Sequence, residues 1–239
     1  MKIQVISDIH VDFHKDQGDE FLKKLNKDCD VLVVAGDVAG HLSKTERFLF
    51  RLCGEFKDVI YVLGNHEFYG HNRGLVLERM DNFEHTTPNL HWLENSHVMI
   101  GNQKFVGATL WFRDNPNSIH FENRMSDFSE IKGFKNWVYG VNEYTQKYFN
   151  DAVTNDSIVI THHVPTMEGT NPIYRTNALT NFFVCEMDKF IMEKQPKVWC
   201  YGHGHNNHDK MVDNTRIICN PYGYPNENRF FKWDNIIEV

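Results

Sequence analysis

No apolar run in the 239 residues reaches the ~18 needed to span a bilayer as a helix, so no membrane helix is expected. Cysteine is scarce and odd in number. The five (Cys29, Cys53, Cys185, Cys200, Cys219) show no regular spacing, which predicts reduced core thiols rather than a disulfide framework, and with them a reducing compartment. Positive charge is also short: 25 Lys and Arg stand against 32 Asp and Glu, net −7 with a pI near 6.0. That balance speaks against a face built to grip long nucleic acid. There is no internal repeat, low-complexity tract or Pro/Gly/Ser linker. The first residues run straight into a motif at Asp8, leaving no room for a secretory leader, so a cytoplasmic location is expected. Neither a Gly-x-Ser-x-Gly elbow nor a phosphate-cradling P-loop occurs.

What is present suffices for one domain over residues 1–239, since 41% of the residues are apolar. The first third alternates strand and helix patterns. Lys2–Ile6, Val31–Ala35 and Val59–Leu63 are β-like runs, and Asp19–Lys27 places Phe21, Leu22 and Leu25 on one helical face. Ser43-Lys44-Thr45-Glu46 has the form of a capping box before Phe48, Leu49, Leu52 and Cys53. Leu75–Phe83 is predicted helical, and Val98–Ile100 with Lys104–Ala108 a hairpin around Gly101-Asn102-Gln103. Residues 111–140 are rich in aromatics, Asn and Asp with weak periodicity, and are predicted to form an irregular insertion near the site. Helices are expected at Asn142–Val153 and Asn177–Lys194. Strands are expected at Ser157–Thr161, Lys197–Tyr201, Lys210–Val212, Arg216–Cys219 and Phe230–Trp233.

Five clusters of metal-binding residues each follow an apolar run: Asp8-Ile9-His10, Gly36-Asp37, Gly64-Asn65-His66-Glu67, Thr161-His162-His163 and Gly202-His203-Gly204-His205. Oxygen and imidazole donors of this kind suit first-row divalent metals. The first three recur at positions 8, 37 and 65, close to the roughly 30 residues of a βαβ unit. In open α/β sheets ligands bind at the carboxyl ends of the strands, so the spacing lines donors along one sheet edge. Asp37 follows a buried run, where an unpaired carboxylate is costly and a metal removes that cost.

Taken together, these motifs resemble the signature of the calcineurin-like metallophosphoesterases, in order and spacing, from Met1 to about Phe231. A narrower likeness is to a bacterial and phage phosphohydrolase branch. It rests on Gly64-Asn65-His66-Glu67-Phe68-Tyr69, Thr109-Leu110-Trp111, Met125-Ser126-Asp127-Phe128, Thr161-His162-His163-Val164-Pro165 and Asn220-Pro221-Tyr222-Gly223-Tyr224. Many relatives carry Asp where Glu67 stands and Thr where Gly204 stands. The resemblance implies an α/β fold, a four-layer αββα sandwich, with a site for two divalent metal ions (Mn, Fe, Ni or Zn). One ion would take Asp8, His10, Asp37 and His205; the other Asp37, Asn65, His162 and His203, with Asp37 as the bridge. His163 is then left for the pocket or its surroundings. His66, a non-ligand beside Asn65, would be the general acid, its ring steadied by Glu67.

The expected reaction is hydrolysis of a phosphomonoester or phosphodiester. Two cations ~3.5–4 Å apart clamp a phosphoryl group and generate hydroxide at neutral pH for in-line attack. A small, nucleotide-type phosphate ester is the favoured substrate, nucleic acid is not favoured, and single-strand nuclease activity is the alternative; a protein phosphatase stands behind both. A rival from another class is a non-catalytic scaffold on the same fold, but scaffolds of this kind lose metal ligands or the His after Asn, and this chain keeps them. Trp111 and Arg113 follow the predicted strand Lys104–Ala108. They are substrate-binding candidates, Arg through its planar fork on phosphate oxygens and Trp by stacking on a base.

Overall fold

A computed structural model describes all 239 residues. The strands β1 (Lys2–Ile6), β2 (Val31–Ala35) and β3 (Asp58–Val62) are short runs rich in β-branched residues, β2 wholly apolar. Between them lie α1 (Asp19–Lys24) and α2 (Leu42–Glu55), and α3 (Arg73–His85) precedes β4 (Leu90–Trp92). A hairpin follows, β5 (Ser96–Ile100) with β6 (Gln103–Ala108), then α4 (Ser126–Glu130) and α5 (Val138–Ala152). The chain continues through β7 (Ile158–Thr161), α6 (Asp188–Lys194), β8 (Val198–Tyr201), β9 (His208–Val212), β10 (Thr215–Cys219) and β11 (Ile236–Glu238).

Two sheets result. The first runs β11-β1-β2-β3-β4, parallel except for β11; the second runs β5-β6-β7-β8-β10-β9, with a parallel centre and antiparallel β5 and β9 at its edges. The alternation of side chains along a strand decides what lies on each face. In β2, Val31, Val33 and Ala35 point between the sheets, where they meet Ile158 and Ile160 of β7 and Val198 and Cys200 of β8. Leu32 and Val34 point outward onto Phe48, Leu49 and Leu52 of α2. Trp199 and Tyr201 of β8 face the opposite way, onto Phe149 of α5 and Ile191 of α6. A strand buried on both faces needs apolar residues at every position, which is why these runs do not alternate in polarity. The layers are helix, sheet, sheet, helix: the four-layer αββα sandwich.

Several local expectations change. No capping box forms at α2, whose N-cap is His41 without a side-chain bond; instead Thr45 turns its hydroxyl onto the Ala39 carbonyl. The predicted helix Asn177–Lys194 is two pieces, a 3-10 turn at Ala178–Phe182 and α6. Between them Val164 bridges Val184 in a strand-like contact. No strand forms at Phe230–Trp233; β11 lies just beyond it, and β4 is a further strand the pattern did not reveal. Within residues 111–140, Trp111, Phe112, Ile131, Phe134 and Val138 join the first sheet's outer core instead of forming a separate cluster.

Candidate metal centre

All five donor clusters lie just past the carboxyl ends of parallel strands: β1, β2 and β3 from one sheet, β7 and β8 from the other. Because the sheets face each other, the two sets of loops meet at one end of the sandwich. The loops also bond to one another. Asp8 N–H donates to Gly36 O, His10 N–H to Asp37 O, and Gly202 N–H to His162 O. Both Asp8 carboxylate oxygens accept from the His203 N–H, at 3.0 Å each.

The backbone here is strained. Asp8, His10, Asp37, His203 and His205 have φ of 51°, 49°, 53°, 64° and 47°. Such angles are uncommon outside glycine, cost on the order of 1–3 kcal/mol when poorly populated, and cluster at functional sites. Two glycines make the crowding possible. A Cβ on Gly36 would stand on the His162 ring, and one on Gly64 would stand on the Asp37 carboxylate.

The side chains converge in overlapping sets. Asp8, His10 and His205 present donor atoms within 4.8 Å of one another; so do Asp37, His162 and His203, and so do His10, Asp37 and His66. Asp37 Oδ2 lies 3.5 Å from His162 Nε2 and 3.8 Å from His10 Nε2, between the first two sets. His162 Nδ1 faces the Ala35 carbonyl at 2.9 Å, so it must carry the hydrogen. The Nε2 lone pair then points at Asn65 Oδ1, 3.1 Å away, and at Asp37. His205 repeats the pattern: Nδ1 donates to Glu227 Oε2 at 2.7 Å, and Nε2 meets His10 Nε2 at 3.2 Å and Asp8 Oδ1 at 3.3 Å. His203 Nε2 is buried without a protein partner.

Electron pairs facing electron pairs require a cation among them. Burial works to neutralise His162, but Asp37 overrides it and pushes the ring up to about 10. Burial likewise opposes charge on His205, and Asp8 pushes it up to about 9. Asp37 is held well below the usual carboxylate range: burial works against its charge, and His162 and His66 outweigh burial. His10, by contrast, is driven down to about 4 by burial, and His203 well down by burial and its histidine neighbours. The donor set therefore fits bound divalent metal, on its chemistry and on the unpartnered His203 Nε2.

The amide of Asn65 is oriented from behind. Its Nδ2 donates to Asp127 Oδ1 at 2.8 Å and to Tyr69 Oη at 3.1 Å, and Tyr69 Oη donates to the same Asp127 oxygen. Neither partner carried a role in the sequence reading, although Asp127 and Tyr69 both fall in the quoted motifs. Glu67 does not steady the His66 ring as expected. It is wholly buried and accepts four backbone N–H groups, from Gly64, Asp37, Val38 and Ala39, tying the β2 and β3 loops together. His66 instead meets Tyr224 Oη, 3.3 Å from its Nε2. Tyr224 in turn stacks on His10 at 4.5 Å.

Two substrate-binding expectations are corrected. Trp111 is wholly buried, packed edge-on to Phe68, Phe134 and Trp137, and reaches no cleft. Arg113 does not line the cleft, and its Nη2 donates to the Glu186 carbonyl and the Met187 sulfur. His163 also lies below the surface, its Nδ1 3.3 Å from Thr109 O and its ring 4.4 Å from that of His203. The cleft over the donors, of about 460 Å³, is walled instead by Met125 to Asp127 and by the segment from Val164 to Phe183. That second wall is built of Asx turns: Asn171 and Asn177 each cap a 3-10 turn through Oδ1.

Comparison with known proteins agrees with this architecture. Residues 1–207 match the calcineurin-like phosphoesterase family, and the chain belongs to it. A protein of Acanthamoeba polyphaga mimivirus is 23% identical over 237 residues, covering 87% of this chain and 84% of that one. The phosphopantetheinyl hydrolase of Mycobacterium tuberculosis superposes with a TM-score of 0.81 at 16% identity, over 100% of this chain and 95% of that one. TT1561 of Thermus thermophilus gives 0.58 at 14% identity, over 92% and 88%. At these identities the two structures share the fold.

Proposed function

We propose that this chain is a dinuclear, metal-dependent phosphoesterase that hydrolyses a small phosphate ester. The convergence of Asp8, His10, Asp37, Asn65, His162, His203 and His205 carries the reading, with a buried His203 Nε2 that no protein group satisfies. Asp8, His10 and His205 would hold one ion and Asn65, His162 and His203 the other, with Asp37 between them. Mn, Fe, Ni and Zn all suit these donors. Bound there, two divalent ions supply positive charge to phosphoryl oxygens and lower the pKa of coordinated water.

The chain's own groups do the rest. The Ala35 carbonyl and Glu227 keep His162 and His205 in the tautomer that turns Nε2 inward. Asp127 and Tyr69 turn the Asn65 oxygen inward. His66 lines the cleft at 17% side-chain exposure and is the group placed to protonate a departing alkoxide. Five free thiols, three of them buried, support a reducing cytoplasmic setting. No helix is long and apolar enough to cross a membrane.

The test is hydrolysis of a monoester, a diester, cyclic nucleotides and oligonucleotides, side by side, with Mn²⁺, Ni²⁺, Zn²⁺ and Mg²⁺. Turnover of at least one small ester that stops on chelation and returns with metal is the expected result. A protein that binds two ions and turns over none of these would instead be a scaffold.

A further inference from the structure

Of the 20 residues lining the cleft, none is Lys or Arg, while Asp37, Asp127 and Glu227 are carboxylates. Three arginines near the walls have other contacts. Arg175 sits within the second wall, but its guanidinium is held by both Glu168 carboxylate oxygens and by the carbonyls of Glu168 and Thr170. Arg113 is tied to Glu186, and Arg124 lies over Phe121. Away from the proposed metal ligands, the basic group left facing the cleft is His66. A phosphomonoester is a dianion near neutral pH, and the usual protein answer to it is an Arg fork or a Lys. A phosphodiester keeps one charge, which the metal centre alone can balance.

The rest of the lining suits an uncharged arm. Leu179 and Phe183 offer apolar surface, and Tyr174, 54% exposed, lines the same wall. Asn171 and Asn177 use their amide oxygens on the backbone, leaving the NH₂ groups to meet carbonyl or hydroxyl groups of a ligand. From this we infer that the site selects phosphodiesters with one uncharged arm over phosphomonoesters and over polyanionic nucleic acid. The inference rests on the phosphoesterase reading above and names its substrate class. In the reaction a water releases one proton to solvent as its oxygen bonds phosphorus, and one P–O ester bond breaks. The arm leaves as an alkoxide and takes a proton from His66. The products are an alcohol and a phosphomonoester, whose second charge the cleft does not hold, and this favours release.

The experiment uses the full metal-loaded chain at pH 8. Ethyl p-nitrophenyl phosphate and p-nitrophenyl phosphate share a leaving group and differ in charge. The diester is expected to show kcat/KM at least about tenfold higher, the size of one unbalanced charge in a partly screened cleft. Calorimetric titration with methyl phenylphosphonate and phenylphosphonate reads the same preference without turnover, the monoanion binding more tightly. Tyr174→Lys and Asn177→Lys, both at exposed positions, are expected to narrow the ratio about tenfold by improving the monoester. Turnover with the monoester favoured, or an unchanged ratio in both lysine variants, overturns the inference alone. If neither ester reacts and neither phosphonate binds, the phosphoesterase reading falls and the inference with it.

Discussion

Glu67→Gln isolates the bond network that holds the two central loops together. Oε1 accepts from Val38 N at 2.7 Å and Ala39 N at 3.3 Å, and Oε2 from Gly64 N at 2.8 Å and Asp37 N at 3.2 Å. Glutamine has nearly the same shape but only one oxygen. Its NH₂ group must face one of the two pairs, leaving two buried N–H groups without an acceptor. Each such loss costs about 1–3 kcal/mol, so the variant should lose about 2–6 kcal/mol. For a chain of this size that is a fall in Tm of roughly 5–20 °C. Burial, and then the neighbouring Asp37, push Glu67 up to about 7, so the measurement belongs at pH 8, where the wild-type side chain is ionised. Calorimetry on chelated protein reads the network itself, because bound metal adds its own stabilisation to the folded state. Metal analysis on loaded protein reads the consequence, since the two loops carry Asp37 and Asn65. A chelated Glu67→Gln protein melting within ~2 °C of wild type at pH 8 would show that these four bonds do not hold the loops together.

Three further outcomes are expected. Asp37→Asn should abolish turnover and reduce bound metal from two ions, because a neutral amide cannot balance two cations; wild-type activity and metal content in elemental analysis would remove Asp37 from the bridge. His66→Ala should slow an alkyl ester by ~10²–10⁴-fold and a p-nitrophenyl ester far less, the pattern of a lost general acid. Since His66 also lies in a potential donor set with His10 and Asp37, metal content decides between roles, and loss of an ion would make His66 a ligand. Asp127→Ala removes the acceptor behind the Asn65 amide and should weaken one of the two metal sites by roughly 10–100-fold, as lost support of a ligand typically does. Asp127→Asn, which keeps an acceptor oxygen, should restore most of that affinity in a metal titration, and equal losses in both variants would count against the orienting role.

Much of the scaffold was legible from residue order alone. Val31–Ala35 is a short, wholly apolar run and Lys2–Ile6 is rich in Ile and Val, as strands are, and the strand ends could be read off as the places just before Asp, Asn and His. The donors themselves are chemical types in a spaced pattern, so they too were visible before any coordinates. Elements held by tertiary contact were harder to see. β4 is three residues, two of them half-buried, and exists because β3 offers it an edge. The stretch Asn177–Lys194 has enough apolar residues for a helix, but the Asx cap at Asn177 and the bridge from Val164 to Val184 split it into a 3-10 turn and α6.

Direction is what residue type does not report. Trp111 follows a strand end just as the donors do, yet its ring turns into the core, because the aromatics of the following segment pack there. Asp127 reaches Asn65 across 62 positions, and Asp8 receives the His203 N–H across 195. No local periodicity encodes either pairing. The sequence by itself determined the donor-bearing strands, the order of their donors and the chemistry those donors can do. Only the tertiary structure decided which nitrogen of each histidine faces inward, what holds Asn65 in place, and that the cleft above carries carboxylates and no lysine or arginine. Those properties arise where two sheets and several loops, far apart in the chain, close on the same few ångströms.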